Sequence, residues 1–333
     1  MCTAITYQTK DHYFGRNLDL EYSYKESVTI TPRNYPFAFR AQNTLSHHYA
    51  IIGIATIENN YPLYYDAVNE RGLAMAALNF PGNAVYQKLN KHKYNIAPFE
   101  FIPWILSQFA SVEEALPMLK CVNLAKISYS PDYPHTPLHW MLSDRYKAIT
   151  IEPMERGLNI YDNSVGVLTN NPPFEYHMHN LKNYLNLTKD EPENRLAPQL
   201  DLTPYSRGMG AIGLPGDLSS SSRFVRAAFT KLNAVSDESE ASSISQFFHI
   251  LGSVSQQRGC VRVGESFERT VYTCCCNMDT GVYYYTTYEN SQITGVNMHF
   301  EDLSSSKLFS YPLLFSQQIR MERQPQNDLQ TES

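Results

Sequence analysis

The chain has 333 residues, of which 43% are hydrophobic and 18% charged, and a net charge of −6 from 33 acidic and 27 basic side chains. That composition is globular, excludes wholesale disorder, and supplies no basic excess to neutralise phosphates, so no nucleic-acid partner is expected. A chain this long buries roughly three quarters of its unfolded surface and needs no covalent staples.

The opening, MCTAITYQTKDHYFGR, has neither the basic start nor the apolar run of a secretory signal. Cys2, preceded only by Met1, does not suit a lipoprotein anchor. The longest apolar run, residues 99–109, is interrupted by Glu100 and Pro103 and falls short of a membrane span. A cytoplasmic protein with no membrane partner is expected. Short β-prone runs at 3–7, 13–17 and 27–31 predict strands. Segments 49–56 (YAIIGIAT) and 72–79 (GLAMAALN) are apolar on both faces, as strands covered on both sides are. Ala74 and Ala76 share a face and would let another layer approach closely. An apolar stripe over 98–109 predicts a helix, and Ser111-Val-Glu-Glu114 is a capping box that starts another. Strands are expected at 138–143, 148–152 and 165–169, helices at 223–232 and 244–254, and strands again at 270–276, 282–288 and 293–298. This alternation predicts sheet layers flanked by helices in one domain, residues 1–315, with a polar tail over 316–333.

Six cysteines are present: Cys2, Cys121, Cys260, Cys274, Cys275 and Cys276. The consecutive three suit neither a zinc C-x-x-C pair nor a disulfide framework, and read as small buried hydrophobes of a reducing compartment. Gly208-Met-Gly-Ala-Ile-Gly213 has the spacing of a dinucleotide fingerprint, but the turn Leu214-Pro-Gly-Asp217 follows it where a helix is required. A glycine loop is the expected outcome. His177 and His179 lack metal-site spacing and read as a helical surface pair, and His47-His48 as loop.

Cys2 carries the sharpest chemical signal. If Met1 is removed, an N-terminal cysteine places an α-amine of pKa roughly 7.7–8.0 beside a thiol of roughly 8.5. One residue then holds both nucleophile and base. Position alone is weak support. Arg16-Asn-Leu-Asp19 reads as a surface ion pair at a strand end or, if both side chains reach Cys2, as organisers of thiolate and α-ammonium. In a regular strand the two point to opposite faces, so a joint role calls for a bend or bulge near Asn17-Leu18. Asn79-Phe-Pro81 and Asn170-Asn-Pro172 end two apolar strands. Each leading asparagine reads as turn chemistry or as a rigid, uncharged oxyanion donor. Arg223 falls in the first turn of a helix starting at Ser219 to Ser222, where a cation opposes the helix dipole. It is either solvated or compensated by something anionic.

Taken together, MCTAITY, YFGRNLDLEYSY, YPLYYDAVNERGL, AALNFPGN, PFEFIPWIL, PLHWMLSD, VGVLTNNPPF, AIGLPGDLSSSSRFVRAAF, SQFFHIL and YYYTTYENSQI resemble the choloylglycine hydrolase family of N-terminal nucleophile hydrolases, in particular bacterial conjugated bile salt hydrolases. The resemblance implies an α+β fold, an αββα four-layer sandwich of two antiparallel sheets flanked by helices. It also implies a homotetramer and no metal or organic cofactor. It assigns the nucleophile to Cys2, its organisers to Arg16 and Asp19, the oxyanion side to Asn79 and Asn170, and the remaining site arginine to Arg223. Pocket-lining positions by the same resemblance are Leu18, Tyr22, Tyr24, Tyr65, Thr136 and Leu138, any of which, read singly, is ordinary packing. Penicillin V acylases of the family typically carry tyrosine where this chain has Asn79, which favours bile salts. Ala211, Cys260, the 274–276 run and the tail depart from the family pattern. The implied reaction is hydrolysis of a glycine or taurine conjugate through a Cys2 thioester. The alternatives are penicillin V or other N-acyl amide hydrolysis and, without catalysis, a bile-acid-binding protein.

Overall fold

The computed structural model describes residues 1–322. The chain opens with the hairpin β1 (Cys2–Gln8) and β2 (His12–Leu20), then β3 (Ser27–Thr31), β4 (Ile51–Glu58), β5 (Tyr61–Asn69) and β6 (Ala74–Asn79). A short parallel pair, β7 (Tyr94–Ile96) and β8 (Val122–Leu124), brackets helices α1 (Phe101–Leu106) and α2 (Val112–Leu119). Strands β9 (Leu138–Ser143), β10 (Ala148–Met154), β11 (Gly157–Asp162) and β12 (Val167–Leu168) precede helices α3 (Phe174–Leu181), α4 (Ser220–Asn233) and α5 (Glu240–Gly252). A two-stranded ribbon, β13 (Arg262–Val263) and β14 (Ser266–Phe267), leads into β15 (Arg269–Asn277), β16 (Val282–Thr287), β17 (Asn290–Asn297) and β18 (Phe309–Pro312).

Two antiparallel sheets result. The first has the order β12-β1-β2-β15-β16-β17 and the second β11-β10-β9-β6-β5-β4-β3-β18. Helices α4 and α5 pack on the first sheet and α1 on the second, which makes the α+β, αββα sandwich that the resemblance implies. The period of two in β6 decides which side chain meets which layer. Ala74, Ala76 and Leu78 enter the core shared with the first sheet, whereas Leu73, Met75 and Ala77 enter the core beneath α1 and α2. The small Ala74 and Ala76 let β6 approach β1 across the sandwich. That juxtaposition brings the strand ends bearing Cys2 and Asn79 to one place.

Local signals are realised with small changes. Ser111 caps α2 by accepting from the Glu114 amide at 3.2 Å, but the Glu114 carboxylate reaches past it to the Ala110 amide at 2.8 Å. The helix expected over 98–109 is a 3₁₀ turn at Pro98–Glu100 followed by α1, ending three residues early. Asn69 takes the Leu106 and Phe109 carbonyls at its side-chain amide, each at 2.8 Å, and so ties that helix end to the β5–β6 turn. The glycine loop at Gly208–Gly213 is a loop, with Gly208 and Gly213 at φ +81 and +98. Cys274, Cys275 and Cys276 are buried in β15 as expected. Of the tail, Gln317 and Gln318 hydrogen-bond with Ser291 and Asn290, and residues 323–333 lie outside the described residues.

Candidate active site

β1 pairs with β2 along its length, with Cys2 opposite Leu18 and Ala4 opposite Arg16. Directly opposed residues share a face, so Cys2, Leu18 and Arg16 lie on one side of the first sheet. That side faces the second sheet, because the Arg16 guanidinium donates to the Tyr65 carbonyl at 3.2 Å and to the Ala77 carbonyl. Asn17 and Asp19 face the helices: the Asn17 amide donates to the Leu251 carbonyl of α5 at 2.9 Å. Asp19 accepts from the Thr270 hydroxyl at 2.6 Å. The bend or bulge expected near Asn17-Leu18 takes the form of a register shift in the β2–β15 pairing, between Thr270 and Tyr272, which oppose Asp19 and Leu18, while the β1–β2 register runs on unbroken. Arg16 and Asp19 lie on opposite faces of β2.

Asn170, just beyond β12, is the hub of the site. Its Oδ1 accepts from the Cys2 nitrogen at 2.7 Å and from Arg223 Nη2 at 2.8 Å. Its Nδ2 donates to the Asn79 carbonyl at 2.7 Å. Its own amide donates to Ser220 Oγ at 2.8 Å, and its carbonyl accepts from His177 Nε2 at 2.9 Å. A side-chain amide with every group engaged has one orientation. Asn79 thus joins the cluster through its backbone, while its Oδ1 is buried without a partner among the described residues.

Arg223 is 1% exposed, so the solvated reading fails. Its partners are neutral oxygens: the carbonyls of Cys2 at 2.5 Å and Leu218 at 3.1 Å, Thr3 Oγ1 at 2.7 Å, and Asn170. Burial lowers its pKa, and Asp19 and Cys2 act against that fall. Burial raises the Asp19 carboxyl, while Arg223, the N-terminal ammonium, Thr270 and Arg16 pull it back. The compensation expected for Arg223 is therefore a field from Asp19, without a direct ion pair. For Arg16 burial opposes the charge, yet Cys2, Tyr272, Asp66 and Cys274 together hold its pKa above the ordinary arginine value.

Met1 precedes Cys2 here, so the nitrogen facing Asn170 is a peptide nitrogen. The Met1 ammonium donates to the Asp19 carbonyl at 2.8 Å and pairs with the buried Glu268 carboxylate. Glu268 and Thr270 escaped the sequence reading, since an acid and a threonine at a strand entrance carry no motif. His177 is a second correction: it is helical, on α3, but fully buried against Asn170, whereas His179 is exposed. His139 was missed as well. It bonds Glu152 at 3.2 Å and the Thr169 carbonyl at 2.9 Å, and stacks on Phe80 at 4.3 Å. One imidazole thereby braces both asparagine-bearing strand ends.

Of the six positions that the resemblance assigns to a pocket, five form two hydrogen-bonded groups. Tyr22 and Tyr24, exposed, pair ring to ring at 4.9 Å, and Thr56 links the Tyr24 carbonyl at 3.3 Å to the Tyr65 hydroxyl at 3.0 Å. Leu138 lies opposite Asn79 in the β6–β9 register, and the Tyr86 hydroxyl bridges its amide to the Thr136 carbonyl. Leu18, opposite Cys2, is buried. Among the described residues no group of three or more His, Cys, Asp or Glu side chains could hold a metal ion.

A cysteine at the start of a strand in one of two stacked antiparallel sheets, with its nitrogen held by an asparagine and its carbonyl by a buried arginine, is the arrangement of an N-terminal nucleophile hydrolase. The family model described as linear amide C–N hydrolases, choloylglycine hydrolase family, matches residues 2–311. The chain belongs to that family. It is 57% identical to the bile salt hydrolase/transferase of Lactiplantibacillus plantarum over 94% of this chain and 97% of that protein. The crystal structure of the C2A mutant of the conjugated bile acid hydrolase from Clostridium perfringens superposes with a TM-score of 0.90 at 39% identity, covering 97% of this chain and all of that one. The penicillin V acylase of Agrobacterium tumefaciens shares the fold, with a TM-score of 0.73 at 18% identity over 93% and 90% of the two chains.

Proposed function

We propose that this chain hydrolyses the amide that joins a bile acid to glycine or taurine, through a thioester on Cys2. The observation that carries the reading is the single hub in which Asn170 holds the Cys2 nitrogen and Arg223 at once, in a chain so similar to a bile salt hydrolase/transferase. With Met1 removed, the freed α-amine stands between Asn170 and the Asp19 side. It takes the thiol proton as the sulfur attacks the carbonyl and returns it to the departing amine. Arg16, on the thiol face, favours the thiolate. Asn79 and Asn170 stabilise the oxyanion, which requires the Asn170 amide to exchange the Asn79 carbonyl for substrate. Water then hydrolyses the thioester.

Leu18, Tyr22, Tyr24, Tyr65, Thr136 and Leu138 offer the apolar and aromatic surface that a rigid steroid needs. Penicillin V is the second reading, and Asn79 in place of tyrosine disfavours it. A cytoplasmic setting fits six unpaired cysteines and the lack, among the described residues, of a helix able to cross a membrane. A homotetramer fits the exposed apolar side chains Leu185, Leu196, Leu200, Tyr205 and Ile212 on one connecting segment. Residues 1–315 form one domain on this reading, since β18 near its end completes the sheet edge at β3. The deciding experiment is release of free amine from glycocholate, taurocholate and penicillin V by protein whose mass confirms loss of Met1. Release from the bile salts is expected; release from penicillin V alone would reassign the substrate, and release from none would favour a binding role.

A further inference from the structure

Asp66 is a further buried carboxylate, neighbour to Arg16, and none of the roles above uses it. It lies on β5 of the second sheet, 2% exposed, yet its hydrogen-bond donors come from the first sheet. Tyr272 donates to Oδ2 at 2.6 Å, Tyr283 donates to Oδ1, and the Cys274 thiol lies 3.5 Å from Oδ1. Burial pushes both phenols and the Cys274 thiol well above their ordinary values, so all three donate as neutral groups. Burial raises the Asp66 carboxyl, and Arg16 first, then the hydrogen bonds from Tyr272, Tyr283 and Cys274, pull it back toward the charged form.

Arg16 is the neighbouring cation. It is fully buried, its hydrogen bonds run to the carbonyls of Asn17, Tyr65 and Ala77, and its Nη2 has no partner among the described residues. Tyr65 directly precedes Asp66, and Ala76 lies opposite Asp66 in the β5–β6 register, so the guanidinium is seated on the backbone that flanks this carboxylate. A buried guanidinium that bonds only carbonyls needs an anion close by. The ionisable groups around it are Cys2 on β1, Asp19 on β2, Asp66 on β5, and Tyr272 and Cys274 on β15, with Tyr283 on β16 behind Asp66. On the amine side stand Arg223, Glu268 and the N-terminus. On the thiol face, with the phenols and Cys274 neutral, the anions that share Arg16 are Asp66 and the Cys2 thiolate.

We propose that Asp66 is a positioning residue that acts on Cys2 through Arg16, holding part of the guanidinium charge and so setting the pH at which the thiol ionises. The proposal rests on the reading of Cys2 as nucleophile and Arg16 as its cation. Removing the Asp66 charge leaves more of the Arg16 field to the sulfur, which favours the thiolate at lower pH.

The test is the rate of Cys2 alkylation by iodoacetamide against pH in Met1-free protein, read on the N-terminal peptide by mass spectrometry. Asp66→Asn is expected to move the half-maximal pH down by about half a unit or more, and Asp66→Glu, which keeps the charge, to leave it near wild type. Should Asp66→Asn not fold, the Tyr272→Phe/Tyr283→Phe double variant, whose stranded carboxylate takes up a proton, must move it the same way. An unmoved profile in a folded Asp66→Asn or double variant, or an equal shift in Asp66→Glu, overturns the proposal. Because this readout needs no bile salt, a wrong substrate would show as absent turnover with a normal alkylation shift.

Discussion

At the residue scale the site is a set of buried polar groups whose partners are nearly all neutral. That makes individual atoms expensive to remove. Cys2→Ala deletes a thiol but none of the backbone hydrogen bonds to Asn170 and Arg223. Amine release should fall to background while the melting temperature stays within about 3 °C of wild type, the range of a substitution that breaks no buried pairing. Residual wild-type rate in that variant would refute the thioester mechanism. Asn170→Ala differs because it strands the Cys2 nitrogen and Arg223 Nη2 together. Each orphaned buried donor costs about 1–3 kcal/mol, and loss of an oxyanion donor costs about 10²–10³ in kcat. Calorimetry and steady-state kinetics should therefore fall in step, and a variant that lost stability with kcat unchanged would remove Asn170 from the chemistry. These residues could be read in the sequence because each was locally odd: a cysteine behind Met1, an arginine opposing a helix dipole, asparagines closing apolar strands. Glu268, Thr270 and Asp66 looked ordinary, since their importance comes from partners more than forty residues away or on another sheet.

At the element scale two strands and one helix control the geometry. Gly15 in β2 lies against β15, where an added Cβ would sit 2.0 Å from the Cys274 carbonyl oxygen. Gly15→Ala must push the two strands apart and should cost more than about 3 kcal/mol in denaturant unfolding. Gly252→Ala in α5, where a Cβ meets nothing within 4 Å, should be neutral or slightly stabilising. Equal effects would mean that strand proximity is not what Gly15 provides. Helix α3 contributes a pH dependence. Burial holds His177 at about 4, below its ordinary 6.5, although its bond to the Asn170 carbonyl raises it in part. The unfolded chain then binds the extra proton, so His177 supports stability fully above about pH 6.5 and progressively less toward pH 4. Between pH 7 and 4.5 the melting temperature of wild type should fall more steeply than that of His177→Gln. Parallel curves would mean that His177 is not held neutral.

At the scale of the whole molecule, chain ends and exposed apolar surface matter most. Met1 places its ammonium on the Asp19 carbonyl and the Glu268 carboxylate. An N-terminal tag that cannot be removed should abolish turnover, and a protease cut that exposes Cys2 should restore it in the same sample; activity in the uncut form would exclude the α-amine as the base. The exposed leucines and tyrosine between residues 185 and 212 lie along one connection, and the proposed tetramer would cover some of them. Light scattering should give a mass near four times the 38.1 kDa chain, and Leu196→Glu with Leu200→Glu should lower it; a monomeric wild type would discard the tetramer.

The sequence by itself determined the alternation of strands and helices, the burial of β4, β6 and the cysteine run, and the six residues to examine. Those properties follow from the periodicity and chemistry of neighbouring residues, which a linear reading captures. Only the tertiary structure decided that Arg16 and Asp19 lie on opposite faces of β2, that His177 is buried beneath Asn170, and that Asp66 reaches across the sandwich to Tyr272 and Tyr283. Each of these depends on which face of one sheet meets which layer, and that is settled by packing the two sheets together through Ala74 and Ala76, not by any stretch of chain read alone.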